Sequence, residues 1–167
     1  MKNLIPHIQR LTATFFVICT LYFDASFASP ISDSSNLVQN SSFEMNNQPT
    51  LQYWIADTTF TKFVQDVPPN GGQWSLQLVP DWMSGGFAIT YVSGQSGVGV
   101  YKLTVWIKSI AGWPGSVTFG QLTKNGWGKS KQIYCDSTSW TQISLIDTFS
   151  LQPNDTIAVD LSAGRSP

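Results

Sequence analysis

Cutting a glycosidic bond takes two carboxylates held about 5–9.5 Å apart, and this sequence offers few to choose from. Glu44 is the only glutamate, and the aspartates in turn-like contexts are Asp57, Asp66, Asp81, Asp136, Asp147 and Asp155. No two of them share a motif that would set such a spacing, so no catalytic residue is assigned. The single histidine is His7 and the two cysteines are Cys19 and Cys135. Once the N-terminal segment is set aside, no His-based triad, no Cys/His zinc site and no intrachain disulfide can be built. Cys135 reads as a small buried residue, with intermolecular pairing as the alternative. The aromatic inventory points to different chemistry: seven Trp, ten Phe and five Tyr in 167 residues. Such rings bury an apolar face against a ligand while neighbouring polar groups stay wet.

Trp106 has the most telling neighbours. In the run from Val100 to Ser109, Tyr101, Leu103, Val105 and Ile107 fall on one face of a strand and read as core. Lys102, Thr104, Trp106 and Lys108 fall on the other. A tryptophan among lysines and a threonine suits stacking on a sugar ring whose hydroxyls the neighbours would bond; a covering loop is the alternative. Trp82, Trp113 and Trp127 sit in turns beside Gly, Pro or Asp, where little apolar surface is at hand. They are candidate stacking platforms or caps over the core, with Gln121, Asn125, Lys129 and Lys131 as polar neighbours. Trp54, Trp74 and Trp140 begin apolar alternations and read as core.

The elements that must position these residues are short strands. Only 11% of residues are charged, against roughly 25% in an average soluble protein, while 42% are hydrophobic and the net charge is −1. That balance excludes a disordered chain and a nucleic-acid binder relying on a basic face. Lys2 and Arg10 precede an apolar run from Leu11 to Phe23, shorter than the ~20 residues of a membrane span. Ser26 and Ala28 then suit signal peptidase, so residues 1–28 are expected to be a signal peptide, 29–35 a polar leader and 36–167 a secreted domain. No membrane association is expected after removal of the leader, and a monomer is expected. Period-two runs separated by Gly, Pro, Asn and Asp clusters follow to the end of the chain. Leu76 and Leu78 share a face with Trp74, and Phe87, Ile89 and Tyr91 share one after the Ser84-Gly85-Gly86 break. This spacing predicts an all-β, antiparallel two-sheet sandwich. Asn40-Ser-Ser42 and Asn154-Asp-Thr156 would be N-glycosylation acceptors in a eukaryote.

Several of these segments, taken in order, resemble a known family. Asn36-Leu-Val-Gln-Asn-Ser-Ser-Phe-Glu44 followed by Trp54, the Tyr101-Lys-Leu-Thr-Val-Trp-Ile-Lys108 strand, the segment opening at Trp140 and the run from Leu151 to Leu161 are similar to carbohydrate-binding modules of families 4, 9, 16 and 22. The resemblance implies a galactose-binding-like jelly roll that binds poly- or oligosaccharide and accompanies a glycoside hydrolase. With it, the residue reading above makes Trp106, Trp82, Trp113, Trp127, Lys102, Lys108 and Asn125 the candidate ligand contacts. It also implies a structural calcium ion, for which Glu44 matches the opening-strand ligand and Asp160 stands in for a closing-strand aspartate; Glu44 bonding its own strand end is the alternative. The family's closing strand has no clear counterpart after Leu161: either the sequence is truncated or the jelly roll ends one strand short, with Val159-Asp160-Leu161 as a degenerate version of that strand. Two other readings stay open: a secreted structural or adhesion sandwich that binds protein, and a glycoside hydrolase fragment.

Overall fold

The computed structural model describes residues 36–79, 85–92, 96–110 and 114–163, with the backbone of two short strands before them. Its strands are β1 Gln9–Thr12, β2 Thr20–Leu21, β3 Glu44–Met45, β4 Gln48–Pro49, β5 Ile55–Ala56, β6 Thr61–Val64, β7 Ser75–Leu78, β8 Phe87–Val92, β9 Gly97–Ile107, β10 Gly115–Thr123, β11 Gly126–Cys135, β12 Thr141–Leu151 and β13 Thr156–Ala163. No helix occurs among the described residues. One sheet runs β11-β10-β13-β8-β5 and the other β12-β9-β1-β2, while β3–β4 and β6–β7 form hairpins of their own. All pairs are antiparallel except β1, which lies parallel to β9 with Leu11 opposite Leu103. The architecture is the all-β two-sheet sandwich that the spacing predicts, with the non-consecutive neighbours of a jelly roll. The segments expected as signal peptide and polar leader, residues 1–35, lie outside the described residues, apart from the backbone of β1 and β2.

Alternation decides what enters the core. Tyr101, Leu103, Val105 and Ile107 of β9 are buried, as are Leu145, Phe149 and Leu151 of β12. They meet Val117 and Phe119 of β10 and Ile157, Val159 and Leu161 of β13 from the facing sheet. Phe149 sits between the layers, 5.1 Å from Phe119 edge to face and 5.6 Å from Tyr101. Offset and edge-to-face ring pairs of this kind are worth about 0.5–1.5 kcal/mol beyond the area they bury. Cys135 is buried and free, and burial pushes its thiol pKa up.

On β8 the small residues face inward. Ala88, Thr90 and Val92 are buried, opposite Leu161, Val159 and Ile157 of β13, so small side chains lie beside large ones on the inner face. The Thr90 hydroxyl has a partner there, donating to the Tyr53 carbonyl at 2.9 Å. Phe87, Ile89 and Tyr91 therefore point outward. The opening segment departs from expectation too: only Glu44–Met45 of residues 36–45 is strand. The rest is turn, with Asn40 at φ 51 and Phe43 at φ 57. The Asn40 amide, donating to the Thr50 and Gln52 carbonyls at 2.8 and 3.0 Å, holds it in place. Phe43 and Trp54 stack at 4.6 Å beneath it, and Trp54 is buried as expected.

Candidate functional site

The outer face of the five-stranded sheet carries a trough made by side-chain size. Register places Ser116, Thr118 and Gly120 of β10 beside Ser162, Asp160 and Ala158 of β13. These two central strands present only small side chains and one carboxylate. Beyond β13, β8 sets Phe87 against Ser162, Ile89 against Asp160 and Tyr91 against Ala158, and β5 adds Ile55 against Ile89. Beyond β10, β11 sets Tyr134 against Ser116 and Gln132 against Thr118, and past a bulge Trp127 against Leu122. With strands about 4.8 Å apart, the wall strands β8 and β11 stand roughly 14 Å from each other. The stretch from Ser116 to Leu122 spans about 20 Å.

The walls are aromatic and open to water: Tyr91 is 46% exposed, Tyr134 45%, Phe87 39% and Trp127 39%. The floor is polar and shallow. Gly120 is required there, because a Cβ at this position would come 2.4 Å from Ser130 Cβ and 2.6 Å from the Lys129 carbonyl. Gln132 Nε2 donates to Ser116 Oγ at 3.2 Å, and the Tyr134 hydroxyl donates to Gln132 Oε1 at 3.1 Å. Asp160 accepts from Ser162 Oγ at 3.0 Å. Burial raises the Asp160 pKa above the ordinary carboxylate value, and the Ser162 hydrogen bond offsets part of that rise.

The sequence-predicted site residues do not converge on one place. Lys102, Trp106 and Lys108 project from β9 on the outer face of the other sheet, where Trp106 is half-buried opposite Gln142, and Thr104 shares a 3.0 Å hydrogen bond with Ser144. Lys108 is engaged: it pairs with Asp66 and lies 5.7 Å over the Trp140 ring, whose Nε1 donates to Asp66 Oδ1 at 3.0 Å. Trp140 is thus half-buried in a polar cluster and not a core residue. Trp127 and Asn125 belong to the β10–β11 hairpin, and the Trp127 side chain joins the trough on the opposite side of the sandwich. Strands of different sheets point their outer side chains in opposite directions, which is why Trp106 and Trp127 cannot share a ligand face. Trp82 and Trp113 lie outside the described residues.

The two expected metal ligands have different protein partners. Glu44 Oε1 accepts the Trp74 N–H at 2.6 Å and packs over Gly72, while Asp160 bonds Ser162 in the trough. Among the described residues no group of three His, Cys, Asp or Glu is gathered. Calcium takes six to eight oxygens, so a site at either carboxylate would have to draw its other ligands from backbone carbonyls and water. Three other described carboxylates are held in structural hydrogen bonds. Asp57 accepts from Thr59 N–H, Asp155 from Gln121 and Gln152, and Asp147 from Lys129.

No protein-family model matches the chain, and no curated protein matches it significantly. Among solved structures it is similar to a family 61 carbohydrate-binding module, TmCBM61, determined in complex with β-1,4-galactotriose. The TM-score is 0.54 at 17% identity, over 77% of this chain and 88% of that one. The two share a fold. The trough residues Phe87, Tyr91 and Tyr134 escape a sequence reading focused on tryptophan, which takes Asp160 as a metal ligand only. Their signal is the pairing on β8 of three large alternating residues with the interleaved Ala88, Thr90 and Val92.

Proposed function

We propose that this chain is a secreted, non-catalytic carbohydrate-binding domain whose glycan lies along the trough of the five-stranded sheet. The observation that carries the reading is the row of exposed aromatic side chains, Phe87 and Tyr91 on one wall and Tyr134 and Trp127 on the other, over a floor of small polar residues. Rings on the walls present faces to pyranose C–H groups, and the floor's hydroxyls and amide reach the sugar's hydroxyls. The shared fold with a module solved on a galactose trisaccharide supports this class of ligand.

Burying one ring face against a sugar is worth on the order of 1–3 kcal/mol, or roughly 5- to 150-fold in affinity. Pull-down on insoluble galactan, glucan, xylan and mannan tests the reading. Retention of the wild type on at least one polymer, and its loss in Tyr91→Ala and Tyr134→Ala but not in Trp106→Ala, is expected. Retention that depends on Trp106 alone would move the site to the other face. The exposed apolar group Ile55, Ile89 and Phe87 favours one second reading, a surface that docks protein. Under that reading no polymer retains the wild type.

A further inference from the structure

Asp160 is an awkward residue for its position. It occupies the middle of β13, a central strand with a neighbour on each side, where aspartate is disfavoured. Its register partners are Thr118 and Ile89, and neither is charged. The surrounding side chains on this face are Ser116 and Gln132 toward β11, Ser162 and Ala158 on its own strand, and Phe87 and Tyr91 on β8. Of the side chains that flank it on β10, β13 and β8, the Tyr91 phenol is the one other ionisable group, and none is a lysine or arginine. The Gln132 amide is turned away, donating to Ser116 Oγ. A carboxylate offers about four acceptor sites, and among the described residues the Ser162 hydroxyl is the one donor that fills any of them. The floor around it is low, so those acceptor sites open into the trough.

We propose that Asp160 is the specificity-determining residue of the trough: its carboxylate accepts two neighbouring hydroxyls of a neutral sugar and rejects sugars that carry an acid group. The inference rests on the glycan-binding reading above and adds to it the class of sugar. Two hydroxyls on adjacent ring carbons match the two oxygens of a carboxylate, and hydrogen bonds to an ionised acceptor are about twice as strong as neutral ones. A uronic acid would bring a second negative charge to a carboxylate that no cation among these flanking side chains compensates. The Ser162 hydroxyl offsets only part of the burial that Asp160 suffers in the free protein, and hydroxyls of a ligand would offset more, the pattern of a residue kept for binding at some cost to stability.

Asp160→Asn keeps the shape and an oxygen for Ser162 while removing the charge. The experiment is calorimetric titration of the full chain and this variant with β-1,4-galactotriose, cellotriose, xylotriose, mannotriose and trigalacturonate, beside melting curves at pH 7. The wild type is expected to bind at least one neutral trisaccharide and to leave trigalacturonate unbound. The variant is expected to bind that neutral sugar at least about tenfold more weakly, with a melting temperature equal to or above the wild type's. The sign follows from the raised pKa. Below the unfolded carboxylate's pKa both states hold the proton, and as pH rises through the folded pKa the native state takes on a desolvated charge that the variant never carries. Wild-type affinity for the neutral sugar should also fall as pH drops through the raised carboxylate range, while the variant's stays flat, a readout that a structural role would not give. Equal affinity in variant and wild type, trigalacturonate bound as tightly as the neutral sugars, or a variant that melts lower would overturn the role of Asp160 and leave the glycan reading standing. A wild type that binds no neutral trisaccharide would overturn the glycan reading and this inference together.

Discussion

Asn40 illustrates how one side chain can stabilise a segment that has almost no regular structure. Both of its amide protons are committed, to the carbonyls of Thr50 and Gln52, and the backbone carbonyl of the same residue accepts the Trp54 indole N–H at 3.1 Å. It also holds a left-handed backbone that asparagine tolerates far better than alanine. Asn40→Ala should therefore destabilise the domain by roughly 1–3 kcal/mol, read from the shift in a urea midpoint at unchanged slope. The same geometry separates the two glycosylation sequons. A glycan on Asn40 would replace one of its two amide protons and so break one of these hydrogen bonds, whereas Asn154 is exposed in a turn. Folded protein from a eukaryotic host should carry sugar at Asn154 alone, and peptide mapping that finds occupied Asn40 in folded material would contradict this. On β9 the sequence reading holds residue by residue, because Leu103 and its alternating partners are too apolar to face water. Leu103→Ala should cost about 2–5 kcal/mol, clearly more than Trp106→Ala, when the two melts are compared.

At the scale of the element, period-two alternation says which residues travel together but not which group goes inside. On β9 the two coincide. On β8 they part: the larger and more apolar set, Phe87, Ile89 and Tyr91, faces out, because the inner surface opposite β9 and β12 is already filled by Phe119, Phe149 and the β13 residues. Nothing within six residues of β8 reports that, since it depends on volumes contributed by strands 30 to 70 positions away. The opening segment has a pattern that predicts strand, but Asn40, Asn46 and Asn47, all at positive φ, favour turns over the apolar pattern there. A second long-range feature joins the sheets at their margin. Lys129 and Lys131 of β11 reach Asp147 of β12, at 2.5 and 3.4 Å, and Asp147 is only 10% exposed. Burial alone would raise the Asp147 pKa, but the Lys129 hydrogen bond, the Thr148 N–H and the two cations outweigh it, so the net shift is downward. A lowered folded pKa means stability that is present above the unfolded carboxylate's pKa and lost as pH falls through the folded one. Urea melts taken stepwise from pH 7 to pH 2 should show this loss in the wild type and a smaller one in Asp147→Asn, which should already be about 1–3 kcal/mol less stable at pH 7. Parallel pH profiles for the two proteins would rule the clamp out.

The whole molecule is a sandwich with two unlike outer faces. One bears Lys102, Trp106 and the Lys108–Asp66–Trp140 cluster; the other bears the trough. Secretion, as proposed, would follow cleavage between Ala28 and Ser29, which removes β1 and β2 and bares the β9 edge from Tyr101 to Thr104. Intact mass of secreted protein should correspond to a chain beginning at Ser29, and retained Met1 would refute the cleavage. The account's central claim is where the glycan sits. The most direct measurement is a backbone-amide NMR titration of the protein with β-1,4-galactotriose, or with whichever neutral trisaccharide the calorimetry shows to bind. Shifts concentrated at Phe87 to Tyr91, Ser116 to Gly120, Gln132 to Tyr134 and Ala158 to Ser162, with Lys102 to Lys108 and Gln142 to Ile146 unmoved, are the predicted result. Shifts centred on Trp106 and Gln142 with the five-stranded sheet silent would contradict it.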